Sequence, residues 1–232
     1  MNIPSVSSKA KVWIAGIVAI CALTALALVA FSANILRSQD TSAWARRFTK
    51  VIPVPAAHVR GKTLLYRDVL TRWDAVDLFL ANAPASANAT NRLATRSELH
   101  QEAYEQQIRE LYMQAEAEQQ HFVLPEEVVN QNMLALTQAS SSTEPGDIDA
   151  FLQASFGWTA DQFREWIIKP ATLEEALARR AEVSGVDPSQ WGREVAAALT
   201  SMEVKRYLSF SAPYIPRVDS VSTSTAPTSD VR

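Results

Sequence analysis

From Val12 to Ala33 the chain reads VWIAGIVAICALTALALVAFSA, 22 residues without a charge. A helix of that length rises roughly 33 Å at about 1.5 Å per residue, the thickness of a bilayer core. Ala, Leu, Ile and Val let such a helix satisfy its backbone internally, and Thr24 can bond back to its own helix. The run predicts an uncleaved transmembrane anchor over residues 12–33, in contact with the lipid bilayer, behind an N-terminal tail of residues 1–11. A cleavable signal peptide competes with it, since Lys9 and Lys11 resemble a charged leader and Ala30 with Ser32 a weak cleavage site. The run is longer than the roughly 7 to 15 apolar residues of such leaders, which favours the anchor. Lys9 and Lys11 before it, and Arg37, Arg46, Arg47 and Lys50 after it, leave the orientation open on charge alone.

Beyond the anchor and a polar tail, the 232-residue chain keeps roughly 150 residues for folding, enough for one domain around one core. Cys21 is the only cysteine and lies inside the apolar run, so no intrachain disulfide forms. The net charge of -3 hides a segregated layout: +2 over 1–33, +5 over 34–94, -10 over 95–182 and 0 over 183–232. The acidic block reads as the solvated face of helices, and its sign argues against nucleic acid as a partner, because phosphate neutralisation needs a basic face. Residues 34–55, with Pro53 and Pro55 at their end, read as a juxtamembrane linker. Residues 56–212 then form the folded domain, and 213–232, too polar to bury anything, a disordered tail.

The periodicity of the folded part is mainly helical, with one short stretch of strand character at its start. HVRGKTLLY places Arg60 and Gly61 between two short runs, as in a hairpin or a strand and turn. Val69, Leu70, Trp73, Val76, Phe79 and Leu80 recur at three and four, the buried face of a helix that ends before Pro84. Residues 85–94 read as an exposed loop. Thr95 and Glu98 form a capping box for a long helix, about 96–120, with Leu99, Ala103, Tyr104, Ile108, Leu111, Tyr112 and Ala115 inside. Its carboxylates Glu98, Glu102, Glu105, Glu110 and Glu116 then face solvent, with Glu105 able to pair with Arg109 and His100 on a polar face. Pro125 starts the next helix, the SSSTEPGD loop ends it, and a short helix carries Ile148, Phe151 and Leu152. Thr159 and Gln162 form a second capping box, opening a helix that Pro170 kinks. A last helix runs from Pro188 through Leu208.

Catalysis needs a nucleophile, a base and an orienting group within reach, and the three histidines His58, His100 and His121 stand in no such setting. No metal-ligand spacing and no glycine-rich phosphate loop occurs. The chain is therefore expected not to be an enzyme and to carry no cofactor and no metal.

Three pieces resemble the N-terminal chaperone domain of the SurA-like proteins, the family that includes the membrane-anchored PpiD-like and PrsA-like foldases. They are HVRGKTLLYRDVL, ELHQEAYEQQIRELYMQAEAEQQHFVLPEEVV and FGWTADQFREWIIKPATLEEALARR, together covering much of residues 56–184. In the last of these, Gly157, Trp158, Thr159, Phe163, Ile167 and Pro170 fall where such domains place a turn, a cap, buried helix positions and a kink. Leu124 stands where a serine-like cap is usual, and nothing after Ser184 resembles the parvulin isomerase domain that often follows, so the resemblance does not extend to isomerase activity.

The resemblance implies a mainly α fold, a SurA-like helical domain behind the transmembrane helix with the short hairpin or strand at its start. It also implies a place outside the cytoplasmic membrane, single-pass, where the domain holds unfolded or newly exported polypeptides without nucleotide. Met133, Leu136, Phe151, Phe156, Trp158 and Trp166 are the candidates for contacting such clients, because large apolar and aromatic groups beside loops can line a groove. Each of them also fits a place in the core. Two other functions share the pattern: a structural or interaction subunit of a membrane complex, and a degenerate prolyl isomerase without its catalytic domain. The oligomeric state is not readable from the sequence.

Overall fold

Arg60 and Gly61 set the start of the fold. Both have positive φ, 45° and 84°, the two-residue turn whose twist matches an antiparallel pair. Strands β1 (Pro55–Val59) and β2 (Lys62–Leu65) flank the turn, with Val59 opposite Lys62 and His58 opposite Thr63. A third strand, β3 (Val204–Arg206), adds antiparallel to the other edge of β1, so the sheet order is β2-β1-β3. The chain is described over residues 8–82, 95–139, 147–201 and 203–210 of a computed structural model.

Helices make up the rest. They are α1 (Ser8–Ser38), α2 (Ala43–Val51), α3 (Tyr66–Asn82), α4 (Arg96–Gln119), α5 (Glu126–Ala139), α6 (Asp147–Phe156), α7 (Ala160–Phe163), α8 (Lys169–Val183) and α9 (Pro188–Thr200). A π-helical turn, Arg164–Ile168, joins α7 to α8 without a break in right-handed geometry. Both capping boxes form as the sequence predicts: the Thr95 and Thr159 hydroxyls accept from the Glu98 and Gln162 amides, and those side chains accept in return. The core lies where α3, α4, α8 and α9 meet the sheet, around Tyr66, Trp73, Tyr104, Ile108, Leu177 and Val195. The Tyr104 hydroxyl donates to the Ala56 carbonyl at 2.8 Å and fixes α4 to β1.

Four expectations are corrected. Among the described residues no helix is long and apolar enough to cross a membrane. This overturns the transmembrane anchor over 12–33, its contact with the lipid bilayer, and the single-pass place in the cytoplasmic membrane. The end of α1 belongs to the folded domain: Ile35 and Leu36 are buried in the core, and the Phe31 ring packs on Trp44 and Phe48. The outward apolar residues described on α1, Leu23, Leu26 and Val29, cover only about 9 Å of helix, a third of a bilayer core.

The linker of residues 34–55 is likewise folded. Ser42 caps α2, whose Ala45 and Thr49 are buried, and Val54 leads into the sheet with 1% exposure. At the other end, the helix from Pro188 stops at Thr200, and Val204, Leu208 and Phe210 point inward at the alternate spacing of extended chain. Finally, the acidic face of α4 is not simply solvated. Arg60 pairs with Glu116, Lys62 with Glu118, Arg72 with Glu110 and Arg206 with Glu105, while Arg109 reaches Glu174 on α8. The 85–94 loop, most of the SSSTEPGD loop and the tail 213–232 lie outside the described residues.

Candidate functional site

Pro170 has no amide hydrogen, so it cannot take the carbonyl four residues back, that of Trp166. The helix widens there, and the Lys169 amide reaches the Arg164 carbonyl five residues back. The Trp166 carbonyl takes a different donor: Nη2 of Arg72, on α3, at 2.6 Å. The same nitrogen bridges to Oε2 of Glu110, on α4, at 2.9 Å, and the two side chains are only 12% and 11% exposed. One guanidinium thus ties α3, α4 and the π-turn together. Burial lowers the Arg72 pKa and pushes the Glu110 carboxyl up to about 7, against the pull of Arg72.

A continuous run of rings passes this tie. Phe79 of α3 stacks on Phe156 at 5.4 Å, Phe156 stacks on Trp158 at 5.4 Å, and Trp158 meets Trp166 edge to face at 5.5 Å. Phe151 joins at the outer end, 6.4 Å from Phe156. Arg72 lies 5.7 Å from the centres of both tryptophan rings, within reach of a cation–π contact. Gly157, at φ +69°, turns the backbone between Phe156 and Trp158 where a Cβ would meet Leu78 Cδ2 at 3.2 Å. The rings are graded in exposure: Phe151 is 61% and Phe79 45% exposed, Phe156 and Trp166 are half-buried, and Trp158 is buried.

Four of the six residues singled out in the sequence, Phe151, Phe156, Trp158 and Trp166, are therefore joined by ring contacts. Met133, half-buried, and Leu136, exposed, lie on α5, which packs against the π-turn and α8. Sequence reasoning missed Phe79, which its spacing assigns to the buried face of α3, and the Arg72–Glu110 pair. The only available signal was Pro170, which marks the Trp166 carbonyl as lacking its helical partner but does not say which side chain replaces it.

Beside the tie, α3, α4 and the π-turn enclose a cleft of about 190 Å³, with Leu64, Leu111 and Trp166 as apolar lining and Asp68, Gln107 and Glu110 as polar lining. Among the described residues no group of three or more His, Cys, Asp or Glu side chains is placed to hold a metal ion. His58 lies on β1, His121 follows α4, and His100 is buried rather than on a polar face, stacked 4.6 Å from Trp73 with Nε2 at 2.9 Å from Asp77. Comparisons with protein-family models, curated proteins and solved structures find no match to this chain.

Proposed function

We propose that the chain is a chaperone-like protein that holds unfolded polypeptide on the ring surface built by α3, α6 and the π-turn. The observation that carries this reading is the run Phe79–Phe156–Trp158–Trp166 with its branch to Phe151. It stands outside the main core, buried at Trp158 and open to solvent at Phe79 and Phe151. Exposed aromatics on a buried aromatic base offer large contact area with little side-chain freedom to lose, which suits weak contacts with many sequences. No nucleotide is needed for such holding, and release follows from the weakness of each contact.

The experiment is suppression of aggregation of a chemically unfolded client by the full chain at equimolar amounts, without nucleotide. Suppression supports the reading, and its absence with the chain shown folded by circular dichroism refutes it. Phe79 and Phe151 are the residues to alter, because they are exposed, whereas altering buried Trp158 would test folding as much as binding.

A further inference from the structure

The cleft beside the rings is open on its polar side in one specific sense. Glu110 gives Oε2 to Arg72, and the Gln107 amide nitrogen donates to the Ala103 carbonyl at 3.2 Å. The other carboxylate oxygen and the Gln107 amide oxygen take no hydrogen bond among the described residues, although Gln107 is only 5% exposed. Among those residues no fully buried side-chain nitrogen or oxygen lacks a partner, so both oxygens are reached by solvent, and the cleft is the opening both side chains line. Two deeply set acceptors facing one small space call for a donor from outside.

The surroundings narrow the donor to a cation on an apolar stem. Leu64, Leu111 and Trp166 line the space, and about 190 Å³ holds on the order of six waters, room for the outer part of a long side chain. Asp68 adds a carboxylate at the rim, with Arg67 3.6 Å from it and outside the lining. The Arg72 charge is taken up by Glu110 and the Trp166 carbonyl. Trp166 is both a wall of this cleft and the last ring of the run, so a segment lying on the rings can reach into it.

We propose that the cleft receives a lysine side chain of the held polypeptide, its methylenes along Leu64, Leu111 and Trp166 and its ammonium at Glu110 and Gln107. This assignment rests on the holding reading and adds a preference to it: segments with a lysine beside large apolar or aromatic residues. An incoming ammonium favours the ionised form of Glu110, which burial otherwise opposes.

The test uses the full chain and pairs of fluorescently labelled peptides, rich in Phe and Leu, identical except for lysine or norleucine at one central position. Anisotropy at low salt is expected to give the lysine peptide about tenfold tighter binding, the size of one good charge-assisted contact. Glu110→Gln should bring the ratio near one. Asp68→Asn, at an exposed rim position, should lower it by a smaller factor, and this arm stands even if Glu110→Gln does not fold. Equal binding of both peptides overturns the lysine assignment and leaves holding intact. Binding of neither overturns holding and this inference with it, and a lysine preference unchanged in every folded variant overturns the cleft as its location.

Discussion

Arg72 is the residue on which the candidate site turns, because one guanidinium serves a carboxylate, a helix carbonyl orphaned by Pro170 and two indole faces. Removing it by Arg72→Met strands Glu110 in a buried place, and chemical denaturation should show a loss of about 3–5 kcal/mol. The double variant Arg72→Met with Glu110→Met should recover most of that loss, since both charges then go; no recovery would show that the carbonyl contact, not the ion pair, dominates.

His100 gives a second prediction at this scale. Burial lowers its pKa, Asp77 pulls the other way, and Arg96 adds to the lowering. Below about 6.5 the unfolded chain gains a proton that folded His100 resists, so its contribution to stability falls as pH falls through that value. The stability gap between wild type and His100→Gln should therefore narrow between about pH 7.5 and 5.5, and a gap that is flat or widens contradicts the assignment. Asp77, lowered by Arg96 and His100, contributes above its unfolded value and loses that contribution only at lower pH. Neither His100 nor Glu110 was legible from spacing. Each sits on the edge of the apolar stripe of α4, where burial depends on what α3 brings opposite, and that is a tertiary fact.

At the scale of elements, caps and turns were the most legible features, because their chemistry is local. Thr95 with Glu98, Thr159 with Gln162, and Arg60–Gly61 each specify a boundary within three residues. What failed were elements whose signal is shared. The apolar run of α1 continues into Phe31, Ile35 and Leu36, which serve the domain core. Strand β3 exists because the edge of β1 accepts it, and its three residues are too few for a period to show. Pro170 was legible as a disturbance, but the outcome, a π-turn before the proline, depends on Arg72 being there to take the Trp166 carbonyl. Gly157→Ala tests how the rings are set: φ of +69° and the contact with Leu78 should cost about 1–2 kcal/mol. The near-ultraviolet circular dichroism of the tryptophans should change as Trp158 shifts. Full stability with an unchanged spectrum would show that the turn does not position the rings.

For the whole molecule, the segregated charge of the sequence becomes complementarity in the fold. The basic stretch before residue 95 supplies Arg60, Lys62 and Arg72, and α4 supplies Glu116, Glu118 and Glu110 to meet them. Exposed pairs of this kind contribute little individually, so they align the hairpin and α3 on α4 more than they stabilise them. With α3 placed by this match and by the core at Trp73, Phe79 lies against Phe156 and the ring surface is complete. That surface is the central claim. The most direct measurement compares aggregation suppression by wild type, by Phe79→Ser with Phe151→Ser, and by Val123→Ser with Val183→Ser, a control pair 84% exposed elsewhere. The account predicts that wild type and the control pair suppress alike while the Phe79 and Phe151 pair, equally folded, loses at least about half of the effect. Equal suppression by all three would contradict it.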